Sequence, residues 1–207
     1  MSDFRQKAMN LADGFAAQTK EALVNPPAPP APTKVAIPCP YRCQYDNHLY
    51  AAGSCNMTSL GMAMEKYGIT VPGPYSHNPD NLLRYCDEQG LDRHSLEVIA
   101  KVSRHFGLSD NAGYAVTFAE IKAHLLGGNL VIVQGQFTPS GHIIVVCGFD
   151  SVAGTWLCND PAGDHNQPNG YRDPGWKSGE QVWYPADWFR RSAAPDGNGL
   201  VWAHLLR

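Results

Sequence analysis

The sequence lacks most of what would mark a binding protein for polyanions, membranes or metals. Its net charge is −3 and its pI is near 6.2, so it has no cationic surplus for nucleic acid. No apolar run approaches the ~20 residues that cross a bilayer. The opening residues MSDFRQKAMN contain no apolar core of a secretory signal. The expected location is therefore cytoplasmic or within a larger particle. Six cysteines in 207 residues are too sparse for a disulfide scaffold. Cys39 and Cys43 do not have the usual zinc spacing, and no matching pair follows. Neither a metal nor another cofactor is expected.

With 43% apolar residues, the chain can bury one good core, and one domain with an appendage is expected. Phe4, Ala8, Leu11 and Phe15 form a narrow apolar stripe, which predicts an amphipathic helix over residues 1–24. Asn25-Pro26-Pro27-Ala28-Pro29-Pro30-Ala31-Pro32 follows, an extended spacer that can neither continue a helix nor pair in a sheet. We therefore expect a linker over 25–35 and a globular domain over 36–207. The N-terminal helix is expected to dock on a partner protein or to self-associate, with an apolar patch of the domain itself as the other possible resting place.

Within the domain, Val35–Pro38 and Tyr41–Tyr45 have edge-strand character. Met57, Leu60, Met64 and Tyr67 recur at helical spacing after Ser54, a candidate N-cap, and Gly68 is placed to end that helix. Further helices are predicted at 81–89, 96–105 and 118–126, the last opened by the capping box of Thr117 and Glu120. After Gly127-Gly128 the character changes. A β-branched run at 130–137 and further strands at 141–149 and 155–160 have short connections and predict an antiparallel meander, completed by 181–184 and 200–205. Helices first and antiparallel strands afterwards define an α+β domain, with no internal repeat.

The chemistry is suggested by three residues. Cys55 opens a helix, where unpaired amides and the positive end of the dipole favour the thiolate. His142 begins one strand and Asp160 ends the next, so antiparallel pairing sets them side by side. Strand alternation turns Asn159 to the other face. Such a set lets His142 carry the proton of a thiol nucleophile while Asp160 orients the imidazole. An oxyanion needs donors, for which the Cys55 amide and the upstream Gln44 are the candidates. Taken singly, Cys55 reads as a small core residue, His142 as a strand-end histidine and Asp160-Pro161 as a turn opener. Their joint order and placement carry the specificity. At the long loop 161–180, Tyr171, Trp176 and the neighbouring Trp183 are candidates to line a groove for a peptide or glycan, or else pack beneath the loop. Its Asp164, His165, Asn166 and Asp173 do not match a calcium-loop pattern.

Several segments together resemble the bacteriocin-processing-peptidase-like branch of the papain-fold cysteine peptidases. They are Ile37-Pro38 with Tyr41 and Gln44, Ser54-Cys55 with Ser59-Leu60 and Met64, Gly141-His142-Ile143 with Val146 and Gly148-Phe149-Asp150, Asn159-Asp160-Pro161, and Trp183–Phe189. The resemblance spans about residues 36–205. It implies a papain-like fold with Cys55 as nucleophile, His142 as base, Asp160 as orienting acid and Gln44 in the oxyanion hole. Asn56-Met57 stand where that branch usually carries Gly-Pro. The expected activity is hydrolysis of a peptide or amide bond in a protein or cell-wall peptide. Acyl transfer, or a catalytically silent module of a larger assembly, are the alternatives.

Overall fold

The computed structural model describes residues 32–95, 97–167, 171 and 178–207. The predicted N-terminal helix, residues 25–31 of the proline-rich spacer, Asp173 and Trp176 lie outside the described residues. Thr33–Arg207 forms one compact unit.

Its elements in chain order are β1 (Lys34–Ala36), α1 (Cys55–Lys66), α2 (Asn78–Glu88), α3 (Glu97–His105), β2 (Asp110–Thr117), α4 (Phe118–Leu126), β3 (Val131–Gly135), β4 (His142–Asp150), β5 (Thr155–Asn159), β6 (Val182–Pro185), α5 (Ala186–Ala193) and β7 (Leu200–Leu206). The described strands form one sheet in the order β2-β7-β3-β4-β5-β6, with β1 on β4, and every pairing is antiparallel. The predicted meander is present from β3 to β6. The last strand, β7, returns to lie between β2 and β3.

Helix α1 is buried on almost all sides, with Met57, Leu60 and Met64 fully enclosed, and it lies against β4 and α2. It ends as predicted: Gly68 adopts φ +73°, and Ile69 N–H donates to Met64 C=O at 2.9 Å, the Schellman closure that a left-handed glycine permits. The Thr117–Glu120 capping box is formed in both directions.

Four local expectations need correction. Helix α2 begins at Asn78 rather than Asn81, because Pro79 is tolerated in a first turn whose N–H groups have no helical partner. β1 stops at Ala36, before Pro38 would break the ladder. Tyr41–Tyr45 is not a strand: Gln44–Asp46 forms a 3-10 turn. Two elements, β2 and α5, had no counterpart in the sequence reading.

Candidate active site

The site is assembled at the end of the sheet where β4 starts and β5 finishes. Cys55 is the first residue of α1. Of the six free thiols it is the only one not buried. Ser54 holds the N-cap position, but its side chain does not cap the helix. Its hydroxyl donates to Ala51 C=O at 3.3 Å and accepts from the Asn47 amide at 2.8 Å. Asn47 also donates to Thr58 Oγ1 at 2.8 Å, so one side chain fixes the approach to Cys55 and the turn after it. One turn further on, Ser59 donates to the Ile143 carbonyl at 3.1 Å. That bond pins the nucleophile helix beside the strand that carries His142.

His142 and Asp160 meet because of the register. Val145 opposes Asn159, so His142, three residues earlier, and Asp160, one residue later, converge at the same end. His142 Nε2 lies 2.7 Å from Asp160 Oδ1. With that nitrogen engaged, Nδ1 is the one available to the Cys55 thiol, to which His142 is hydrogen-bonded. Burial alone would push the imidazole pKa down. The charge and hydrogen bond of Asp160, followed by those of Cys55, reverse this and raise it to about 10. Burial is also the largest single influence on Cys55 and pushes its thiol up. Against it act the His142 hydrogen bond and charge, then the Ile143 and Asn56 N–H groups, and the thiol ends below its usual value. These opposite shifts both favour the charge-separated form of the pair.

Asp160 is fully buried, and such a carboxylate costs several kcal/mol to desolvate. Four donors satisfy both of its oxygens and offset that cost. Oδ1 accepts from His142 and from Ala162 N–H at 3.0 Å. Oδ2 accepts from the hydroxyls of Tyr171 at 2.8 Å and Tyr184 at 2.9 Å. Hydrogen bonds to a charged group are worth about 1.5–3 kcal/mol each. Burial, then the Asp160 charge, drive both phenols far above the usual tyrosine pKa, so both remain donors. The Asp160 backbone is equally fixed: its carbonyl accepts from Tyr41 Oη at 3.0 Å, and its N–H donates to Gly179 C=O at 2.9 Å. A Cβ on Gly179 would lie 1.9 Å from that Asp160 carbonyl, so only glycine fits there.

Gln44 is buried beside the turn that feeds α1. Its Nε2 donates to Ala51 C=O at 3.1 Å, which leaves the second amide hydrogen available. Its own N–H donates to the carbonyl of Pro161, next to Asp160, at 2.8 Å. A cavity of about 560 Å³ adjoins this segment and is lined in part by Tyr41, Cys43, Asp46, Asn47 and His48.

Asn159 turns away from Asp160, as alternation predicts, and its amide donates to the carbonyls of Cys39 and Pro40, both at 3.1 Å. The two described aromatic candidates, Tyr171 and Trp183, do not line a common groove. Tyr171 is at the site, but its hydroxyl is spent on Asp160 and its ring edge meets His142 at 5.6 Å. Trp183 is not brought there. Tyr184 faces Asp160, so its neighbour Trp183 takes the other face of the sheet, where Lys34 Nζ lies 4.9 Å from its ring. Trp176 lies outside the described residues. The sequence reading missed Tyr184, Tyr41, Ser59 and Asn47. The parity of β6 was legible, but nothing local indicated which of its faces meets Asp160. No group of residues able to hold a metal ion occurs among the described residues.

An α+β domain with a thiol at a helix start, facing an imidazole and carboxylate at a sheet edge, defines the papain-like class of cysteine peptidases. Within that class the chain belongs to the Peptidase_C39 like family, which matches residues 36–187. Two solved structures share the fold. A C39-like peptidase from Bacillus anthracis is 14% identical with a TM-score of 0.57, over 84% of this chain and 97% of that one. A double glycine motif protease from an AMS/PCAT transporter, solved in complex with the leader peptide, is 18% identical with a TM-score of 0.50, over 83% of this chain and 93% of that one. No curated protein matches the chain. By family and fold it is a cysteine peptidase, and no helix among the described residues is long and apolar enough to cross a membrane.

Proposed function

We propose that this chain hydrolyses a peptide or amide bond through Cys55, His142 and Asp160, with a polypeptide or cell-wall peptide as substrate. The observation that carries the reading is the chain of contacts from the α1 thiol through His142 to the Asp160 carboxylate, 2.7 Å from the ring.

The thiolate of Cys55 attacks the carbonyl carbon, and the carbonyl electron pair moves onto oxygen. The Cys55 N–H and the second Nε2 hydrogen of Gln44 receive that oxyanion. The tetrahedral centre collapses and expels the amine, which takes the proton on His142 Nδ1. The now neutral imidazole deprotonates a water molecule, which adds to the thioester. Collapse then expels the Cys55 thiolate and releases the acid, leaving on His142 the proton taken from water and so restoring the ion pair. Asp160, held by four donors, keeps the ring orientation fixed throughout and stabilises its cationic form.

A charge-separated pair at a half-buried thiol argues for a reactive site over a silent module, since a purely structural cysteine is normally inert and buried. Acyl transfer uses the same first step, with an amine in place of water, and amine trapping of the thioester separates the two. The N-terminal helix and linker are proposed as a docking tether. The test is iodoacetamide labelling near neutral pH with a screen of peptides and murein fragments. Fast, selective modification of Cys55 that abolishes turnover is expected. Preferential labelling of Cys147 or Cys86, with Cys55 inert, overturns the mechanism.

A further inference from the structure

A second cavity, of about 450 Å³, lies between α3 and the strands β2 and β7. Its floor is small and apolar, formed by Ala100, Ala112, Gly113 and Ala203. One wall is aromatic. The rings of Tyr114 and Trp202 stand 4.7 Å apart, and Tyr114 is 58% exposed. The ladder between β2 and β7 is broken between Gly113 and Val116, so two residues of β2 face Trp202 alone. That bulge carries Tyr114 outward, as bulges do where a side chain is re-aimed. The aromatic wall continues into a smaller cavity toward Gly135.

The other wall is cationic. Lys101 and Arg104 are exposed on α3 and line the cavity. The one acid at the rim, Glu97, is already engaged by the Tyr114 hydroxyl at 2.5 Å and by Ser95 at 3.2 Å. His204 lines the cavity beside them. Its Nδ1 lies 2.9 Å from Asp110 Oδ2, whose carboxylate also accepts from the Ser103 hydroxyl at 2.9 Å. The opposite ring edge, with Nε2, is therefore turned to the cavity. The Asp110 side chain is fully buried, and its Oδ1 has no partner. A desolvated carboxylate with an unused oxygen is expensive. The fold keeps it where it sets the orientation of one histidine at a cavity wall.

We propose that this cavity binds the C-terminal carboxylate of a peptide whose last residue is aromatic or large and apolar. The carboxylate meets Lys101 and Arg104, and the side chain packs on Trp202 and Tyr114. Cationic donors facing an apolar, aromatic wall across one residue's width suit that chemistry. They suit a bare phosphate less well, because it leaves the aromatic wall unused.

Calorimetric titration of the full chain with N-acetyl-phenylalanine, N-acetyl-phenylalaninamide and inorganic phosphate tests this. Saturable binding of the carboxylate, with the amide and phosphate at least tenfold weaker, is expected. Lys101→Gln and Arg104→Gln, both at exposed positions, should each weaken the carboxylate and spare the amide. Cys55→Ala should bind like the native chain, which separates this cavity from the active site and makes the result independent of the proposed hydrolysis. Equal affinity for acid and amide, phosphate binding as tight as the acid, no saturation in the millimolar range, or loss of binding in Cys55→Ala would each overturn the proposal.

Discussion

Two histidine–carboxylate pairs are built into this chain from similar parts. His142 and Asp160 lie 2.7 Å apart, and His204 and Asp110 lie 2.9 Å apart, with both carboxyl side chains fully buried. What differs is the surroundings. Beside His142 stand a thiol at the first residue of a helix and the Ile143 and Asn56 N–H groups that favour its thiolate. Beside His204 stand a serine hydroxyl occupied with Asp110 and Ile99 and a wall of cations and aromatic rings. A carboxylate orients an imidazole equally well in both places. Under the proposed function, only the pair that faces a nucleophile puts that orientation to catalytic use.

The strongest way to break this distinction is to remove the thiol. Cys55→Ala should reduce hydrolysis to background with the fold retained, and the fast phase of alkylation should vanish without passing to another cysteine. Peptide mapping of labelled protein checks this, and a fast phase that survives the substitution would refute it. His142→Ala should lower turnover by about 10²–10⁴-fold. It should also raise the pKa at which Cys55 alkylates, since it removes the cation that holds the thiolate.

The pH profile sharpens the contrast further. The thiolate requires a pH above the lowered Cys55 value, below 9, and the imidazolium requires a pH below about 10. kcat/KM should therefore rise on the acid side with Cys55 and fall near pH 10. The sign for stability follows from a folded pKa above the ordinary 6.5. The His142 contribution is fully present below pH 6.5 and is lost as pH rises through about 10, which denaturant titrations across that range will detect.

Smaller effects come from the supports of Asp160. Asp160→Asn disturbs orientation rather than removing the proton carrier. One charged hydrogen bond is worth about 1.5–3 kcal/mol, so turnover should fall by roughly 10- to 100-fold, less than for His142→Ala. Tyr184→Phe leaves Tyr171 on the same oxygen and should cost about 1 kcal/mol, read as a drop in kcat of several-fold with KM little changed. The smallest effect is expected outside both pairs: deleting residues 1–31 should move the melting temperature by less than about 2 °C and remove self-association or partner binding. A fall of several degrees would mean roughly 1 kcal/mol or more of lost packing, and the tether proposal would be abandoned.

Local chemistry made much of this protein legible in its sequence. The start and glycine stop of α1, the Thr117–Glu120 box and the β-branched strands β3 to β5 are all decided by neighbours within a few residues. The convergence of Cys55, His142 and Asp160 was legible too, because two strands joined by a short turn have little freedom in register. What escaped depends on distant partners. Strand β2, with its Asn, Gly and exposed face, has weak alternation of its own and exists because β7, some ninety residues later, pairs with it. Trp183 and Tyr184 are adjacent aromatics, and only the packing of β6 on β5 assigned Tyr184 to Asp160 and Trp183 to Lys34. The burial of Asp110 beneath His204 likewise needed α3, β2 and β7 in place together. Sequence specifies what a segment prefers when neighbours decide, whereas the energy of an interstrand face or a buried charge belongs to residues that meet only after the chain has folded.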